Sequence, residues 1–246
     1  MKLSTDKILK SALCLLTKNK SNLTGNYLDI GSGTGELIQL VKDRFNVNSY
    51  AVDYTKSLIK IPSQEVDVAD LNDCSLPYDD NFFDAITFTE VIEHLENHRK
   101  ILEEINRVLK PGGCLVITTP NILNMKSRIR FLLFGFYNLF GPLHMKESEL
   151  HHTGGHINPI SYFYLSHSLL DADYKDIELT IDKKQSTSLV LMTLFYPLIF
   201  LASFFIEKKE RRKYKTIDEH NEKYVHEMNS IQCLTGRTIV VSAIKI

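Results

Sequence analysis

Three glycines with two carboxylates near them are the first residues of this chain whose types and spacing could do chemistry. Leu28–Glu36 reads LDIGSGTGE, and the glycines at 31, 33 and 35 let backbone turn tightly and approach a ligand closely. The spacing is GxGxG and differs from the GxGxxG dinucleotide fingerprint. Asp29, ahead of the glycines, can compensate a positively charged ligand. Asp53 follows Gly31 by 22 residues, where doubly wound folds hold a carboxylate against ribose hydroxyls; the alternative for it is a helix N-cap. A second constellation is TEVIEHLENH, in which Glu90, Glu93 and His94 stand at i, i+3 and i+4. On a helix they would share one face, and two carboxylates with an imidazole could hold a divalent metal. The plainer alternative is that Glu93 and His94 pack or cap that helix. A third group is HHTGGHINP, where His151, His152 and His156 beside Gly154 and Gly155 suggest a substrate-facing loop. His220 and His226 are assigned to solvent.

These residues need elements to position them. From Tyr27 to Pro120, short apolar runs alternate with helical segments, the pattern of βαβ units on a parallel sheet. Strands are expected at Asn26–Ile30, Ser49–Asp53, Glu65–Val68, Phe83–Phe88 and Gly113–Thr118, with helices near Gly35–Phe45 and His98–Leu109. Lys110-Pro111-Gly112-Gly113 reads as a helix stop before a buried strand. Right-handed crossovers put all strand carboxyl ends along one edge, where such folds bind ligands. Beyond Pro120 the alternation fails. Lys126, Arg128 and Arg130 precede Phe131, Phe134, Phe136, Tyr137 and Phe140. A helix is expected to start near Pro159–Ser161, and strands at Ile177–Ile181 and Thr238–Ile244. Leu3 to Leu16 carries apolar residues at helical spacing after Ser4 or Thr5, an amphipathic helix rather than a signal peptide.

With 246 residues the chain fits one sizeable α/β domain. Its 43% hydrophobic and 24% charged content is ordinary for a globular protein. A formal net charge of −1 supplies no global attraction to nucleic acid. Cys14, Cys74, Cys114 and Cys233 form no CxxC pair, which argues against a zinc ribbon or disulfide scaffold and fits a reducing cytoplasm.

LDIGSGTGE, AVD, DVADLNDCSLPYDDNFFDAITFTEVIEHL and RVLKPGGCLVITTPN, in that order, resemble the successive motifs of class I S-adenosylmethionine (SAM)-dependent methyltransferases, of the type 11 and 23 kind. The resemblance covers about Asn26 to Asn121. It implies an α/β, Rossmann-like, doubly wound seven-stranded sheet with a C-terminal antiparallel strand. It also implies that Asp29, Gly31, Ser32, Gly33 and Gly35 line the methionine part of SAM. Asp53 would take the ribose diol, flanked by Tyr54. Asp70 and Leu71 would contact adenine, Thr89 and Glu90 would close the site after the fourth strand, and Asp84 would be structural. The ExxEH spacing resembles the metal motif of ubiquinone-pathway O-methyltransferases and of small-RNA 3′-terminal 2′-O-methyltransferases, the latter completed by a downstream histidine. That resemblance implies a Mg²⁺ or other divalent site of Glu90, Glu93, His94 and His156, with His152 as second choice for the last. Glu93, His94 and His156 are the candidate catalytic residues. KSRIRFLLFGFYNLF and HHTGGHINPISYFYL, within about Asn121 to Leu170, are similar to methyltransferases of bacterial surface-polysaccharide gene clusters.

Leu189–Ile206 is uncharged for 18 residues and just long enough to span a bilayer. Yet the strand at Thr238–Ile244 must return to the same sheet, and Pro197 interrupts the stretch. A kinked helix in the membrane interface is the reading this favours, with Lys208, Lys209, Arg211, Arg212, Lys213 and Lys215 toward anionic headgroups. The alternative is a helix buried against the domain or a second subunit of a homo-oligomer. The chain then divides into an N-terminal helix (1–20), a SAM-binding core (21–122), a substrate-facing lid and helix (123–175), and C-terminal strands with a hydrophobic insertion at 188–207 (176–246). The expectation is a cytoplasmic methyltransferase, peripheral to the membrane, that O-methylates a glycan or lipid-linked small molecule. RNA 2′-O-methylation and non-catalytic SAM binding are the alternatives, and nucleic acid is disfavoured because RNA affinity leans on phosphate contacts.

Overall fold

The computed structural model describes residues 5–143 and 155–246. Seven strands form one sheet in the order β3-β2-β1-β4-β5-β7-β6. β1 (Thr24–Ile30), β2 (Asn46–Asp53), β3 (Asp67–Val68), β4 (Phe83–Thr89) and β5 (Leu109–Pro120) run parallel, while β7 (Thr238–Lys245) lies antiparallel between β5 and β6 (Tyr174–Ile181). This is the doubly wound architecture expected from the sequence. β4 is buried along nearly its whole length, as a central parallel strand covered on both faces must be.

Two apolar layers hold the helices to the sheet. On one face α1 (Asp6–Asn19) and α2 (Glu36–Arg44) bury Leu9, Leu16, Leu37 and Val41 against Tyr27, Val116 and Val240. On the other, α3 (His98–Val108) and α5 (Tyr162–Asp171) bury Ile101, Ile105, Leu165 and Leu169 against Ile86, Leu115 and Val241. Caps set the starts of several helices: Asn97 accepts from the Lys100 amide, Asn124 from Ser127, and Ser161 from Tyr164.

The third strand and the start of the fifth differ most from the sequence expectation. The third strand shrinks from Glu65–Val68 to Asp67–Val68, because only these residues reach the β2 ladder. Lys110–Gly113 is not a break before β5 but an irregularity inside it, since Phe83 pairs with Leu109 while Ala85 pairs with Cys114. Gly112 takes a positive φ of 74° there, which glycine adopts without strain. His220 and His226 both lie exposed as assigned, and at the surface His226 Nε2 meets the Glu207 carboxylate at 2.9 Å.

The uncharged stretch lies within α6 (Ser186–Lys209), which runs on into a π turn at Glu210–Tyr214. Both of its ends are tied to the domain. The Gln185 amide donates to Thr235 O, and Ser188, buried, meets the amide of Lys126 at the start of α4 (Met125–Phe134). Further along, Asn229 Nδ2 donates to Ser203 Oγ at 2.9 Å and Arg211 pairs with Glu222 at 2.8 Å. Residues 222–235, which include α7 (Glu222–Glu227) and α8 (Ile231–Thr235), therefore run back along α6 on its protein side. The helix lies across the domain, and α7 and α8 return the chain along it to β7.

Asn121 fastens the carboxyl end of β5 to the turn before β7. Its side-chain amide donates to Cys233 O and Gly236 O at 2.8 and 2.9 Å, and its oxygen accepts from the Leu123 amide. Asn121→Ala would strand these buried groups and is expected to cost about 2–4 kcal/mol of folding free energy, read as a lowered urea midpoint at unchanged m-value.

Candidate active site

β1 and β4 are neighbours in the sheet, yet their following segments leave toward opposite faces, opening a crevice at their carboxyl ends. The loop after β1 enters it through three residues with positive φ, Gly31, Gly33 and Gly35. At Gly31 a Cβ would stand 2.2 Å from Val91 Cγ2, and at Gly35 it would meet Ile59 and Ile61 at 2.7 and 2.8 Å. Glycine is thus required both by conformation and by the closeness of the neighbouring loops. The Gly31 amide is spent on Val52 O, and the Gly33 amide donates to Asp53 Oδ2 at 2.8 Å.

Asp29 is buried below this loop. Thr87 Oγ1 donates to Asp29 Oδ1 at 2.7 Å, so the Tyr27 hydroxyl, 2.6 Å from Thr87, must donate to it. Burial pushes the Asp29 carboxyl up to about 7, the Thr87 bond offsetting only part. Asp53, also buried, is raised by desolvation against hydrogen bonds from the backbone of Gly33, Thr55 and Tyr54. A buried carboxyl of this kind favours a cationic partner, which would return it to its charged form. The Ser32 hydroxyl is buried with no hydrogen-bond partner among the described residues. Ligand-sized backbone access, two buried carboxyls and an unpaired hydroxyl fit the cationic methionine and ribose portions of SAM. Tyr54 follows on the surface, Leu71 is buried, and Asp70 is exposed, accepting from the Asn72 amide. The Ala69 amide bonds Asp53 O, which sets Asp70 and Leu71 beside the same strand ends.

The second constellation is assembled differently from its helical reading. Residues 90 and 91 are not helical; Glu90 takes a φ of 54°, and only Ile92–His94 form a short 3₁₀ turn. Glu90 consequently turns to β5, where Thr118 Oγ1 donates to Glu90 Oε1 at 3.0 Å. Thr89 is buried beside it. The residues that converge are Glu93, His94 and His156, whose ligand atoms lie within 4.8 Å of one another. His151 and His152 lie outside the described residues.

A backbone clamp produces this convergence across sixty residues of chain. The amides of Ile157 and Asn158 both donate to Glu93 O at 3.0 Å, and Asn158 Nδ2 donates to Leu95 O. His94 Nδ1 lies 2.9 Å from Gly155 O, so Nδ1 carries the proton and Nε2 keeps its lone pair. The two imidazoles meet edge to face at 4.8 Å, and Phe140 backs His156 at 5.2 Å. Burial lowers both: His94 below its ordinary value, and His156 to about 4, with the His94 ring contributing. Both are therefore neutral at neutral pH. Glu93 is pushed well up, first by burial and then by the charge of Glu90, itself raised to about 7. Among the described residues, neither Glu93 oxygen nor His156 Nδ1 has a partner of acceptable hydrogen-bond geometry. An uncompensated buried carboxyl beside two lone-pair imidazoles is a donor set that fits a divalent cation.

Several contributors escape a reading of the sequence. Tyr27 and Thr87 sit inside strands and support Asp29 only through tertiary proximity. Thr118 and Thr119 carry a signal, two polar residues in the otherwise apolar run CLVITTP. Asp84 does serve structure, holding the Asn26 amide and Lys110.

Carboxyls with raised pKa values in the fold stabilise it at low pH and lose that contribution as pH rises through the folded-state value. In the cofactor-free protein Asp29 alone should therefore contribute about 4 kcal/mol less stability at about pH 7 than at about pH 4, partly offset by His156, whose lowered value acts with the opposite sign. Thermal unfolding across that range checks this, and Asp29→Asn should flatten the profile.

Comparison with known proteins agrees with the crevice. Residues 28–117 match the model of a methyltransferase domain family. An uncharacterized protein of Methanocaldococcus jannaschii is 30% identical over 151 residues, 61% of this chain and 64% of that protein. The demethylmenaquinone methyltransferase of a Geobacillus species is 26% identical over 135 residues, 50% of this chain and 58% of the enzyme. The chain thus spans less than two-thirds of the length of these relatives. A SAM-dependent methyltransferase from Archaeoglobus fulgidus superposes with a TM-score of 0.57 at 18% identity, over 96% of this chain and 94% of that one, a likeness of fold. Residues 28–117 thus match a methyltransferase domain on a sheet with the fold of SAM-dependent methyltransferases, and SAM is the cofactor that fits the glycine loop.

Proposed function

We propose that the chain transfers the methyl group of SAM to a hydroxyl of a glycan or another lipid-linked small molecule at the cytosolic face of a membrane. The observation that carries the hydroxyl reading is the convergence of Glu93, His94 and His156 beside the glycine cradle. SAM supplies an electrophilic methyl on a cationic sulfur, which leaves as a neutral thioether, so the protein has mainly to position the acceptor and remove its proton.

The neutral imidazoles suit that second task. His94, held by Gly155 through Nδ1, has Nε2 free to accept a proton or coordinate a cation. His156 reaches the same point from the other side. A divalent metal held by Glu93, His94 and His156 would orient an acceptor oxygen and lower its pKa. Two nitrogens and one carboxylate suit a transition metal better than Mg²⁺, which prefers oxygen ligands. Glu90 stays outside the ligand group; its charge instead raises the proton affinity of Glu93, which a bound cation would reverse.

The test is transfer of labelled methyl from SAM into cell extract, with and without EDTA, resolved into lipid, carbohydrate, RNA and protein. Label in lipid or carbohydrate supports the acceptor class, and label in RNA replaces it. His156→Ala and Glu93→Gln are each expected to lower kcat about 100- to 1000-fold while SAM affinity stays within about threefold. Unchanged turnover and unchanged EDTA response in both variants would remove the metal and base roles.

A further inference from the structure

We propose that α6 and the tip of α4 form a single docking surface for an anionic lipid bilayer, on which the protein lies without crossing it. The docking stands on geometry alone; only the idea that it delivers the acceptor rests on the methyl-transfer reading.

The apolar surface is large and continuous. No residue of the most apolar 18-residue window in Ser186–Tyr214 is buried, and Leu194, Leu198 and Phe205 are 64–70% exposed. α4, whose first turn meets Ser188 at the start of α6, ends with Leu132 and Leu133 at 77% and 78% exposure. A helix apolar on nearly all sides belongs in a protein core or in lipid, and a patch of this extent marks an interaction surface. At 24 residues and about 1.5 Å per residue, α6 is long enough to cross a bilayer. The bonds from Gln185, Ser203 and Arg211 to residues 222–235 forbid that, because they hold both ends on one domain.

Charge chooses between lipid and a second copy. Lys183 and Lys184 precede the helix, and Lys208, Lys209, Arg212 and Lys213 follow the apolar stretch. Antiparallel pairing of two copies would set the first group against the second; parallel pairing would set each group against itself. Either arrangement opposes like charges, which disfavours association. An anionic headgroup layer satisfies both basic ends at once while the apolar length enters the acyl boundary. Arg211 and Glu207 are already engaged with Glu222 and His226, so they belong to the protein-facing stripe.

The surface leads to the site. Gly135 ends α4, the Asn138 amide returns to Ser127 Oγ, and Phe140 packs on His156. Five residues separate the exposed Phe134 from Phe140. A membrane-borne acceptor would therefore be presented beside the candidate catalytic imidazole.

Co-sedimentation of the full chain with phosphatidylcholine vesicles, with and without phosphatidylglycerol, tests the docking without SAM or turnover. Binding is expected only with phosphatidylglycerol, weakened by salt. Lys208→Glu/Arg212→Glu/Lys213→Glu should reduce partitioning about a hundredfold, and Leu194→Ser/Phe205→Ser should abolish it. SAM binding in solution, retained in both variants, shows that they fold. Absence of binding to phosphatidylglycerol vesicles overturns the proposal, as does a wild-type dimer that Leu194→Ser/Phe205→Ser dissociates. Vesicle binding without methyl transfer would leave the docking standing and fail only the catalytic reading.

Discussion

Burying carboxyl groups at the carboxyl ends of β1, β2 and just beyond β4 is the constraint around which this molecule is arranged. Asp29, Asp53 and Glu93 are each nearly inaccessible, and water cannot stabilise their charge there. The fold compensates unevenly. Asp53 is given backbone amides, and Asp29 one end of a hydroxyl chain through Thr87 to Tyr27. Glu93 is given almost nothing. That gradient runs from the glycine loop toward the imidazoles, and it is opposite to what stability alone would select. Groups held in an energetically poor state are groups whose state a ligand can change.

The glycine loop and the histidine pair solve different positioning problems. The loop is local: its geometry follows from residues whose φ values only glycine adopts freely, and from Val91, Ile59 and Ile61 crowding the space a side chain would fill. The histidine pair is remote in sequence and depends on one carbonyl, Glu93 O, receiving two amides from residues 157 and 158. Because the same backbone contact draws Gly155 onto His94 Nδ1, it sets the tautomer of one imidazole while it delivers the other. Few packing contacts are needed for such precision, since hydrogen bonds in a dry setting are directional and strong.

α6 shows a different economy. It spends no core contacts on most of its length and is kept in place by polar side chains at its two ends, Ser188 and Ser203 with Glu207 beyond it. A helix held in this way can leave its apolar flank outward without loosening the sheet, whose order is completed by β7 after α7 and α8.

The sequence by itself determined the parallel core, the glycine loop, Asp53 after the second strand and the apolar span. These features are written in local periodicity, in residues with special backbone freedom, and in spacings fixed by the length of a βαβ unit. It could not determine what lies together at the strand ends. A helical wheel placed Glu90 with Glu93 and His94, and the family resemblance added His156, whereas a left-handed residue at 90 sends its carboxylate to Thr118 and leaves Glu93, His94 and His156 together. Only tertiary structure decided that, because backbone conformation at a strand end answers to the neighbouring strand and not to helix periodicity. Likewise, whether Leu189–Ile206 crosses, packs inward or lies flat is undecidable from composition. The Gln185–Thr235 bond at its start and the bonds from Asn229 and Glu222 near its end keep both ends of the helix on one side of the domain.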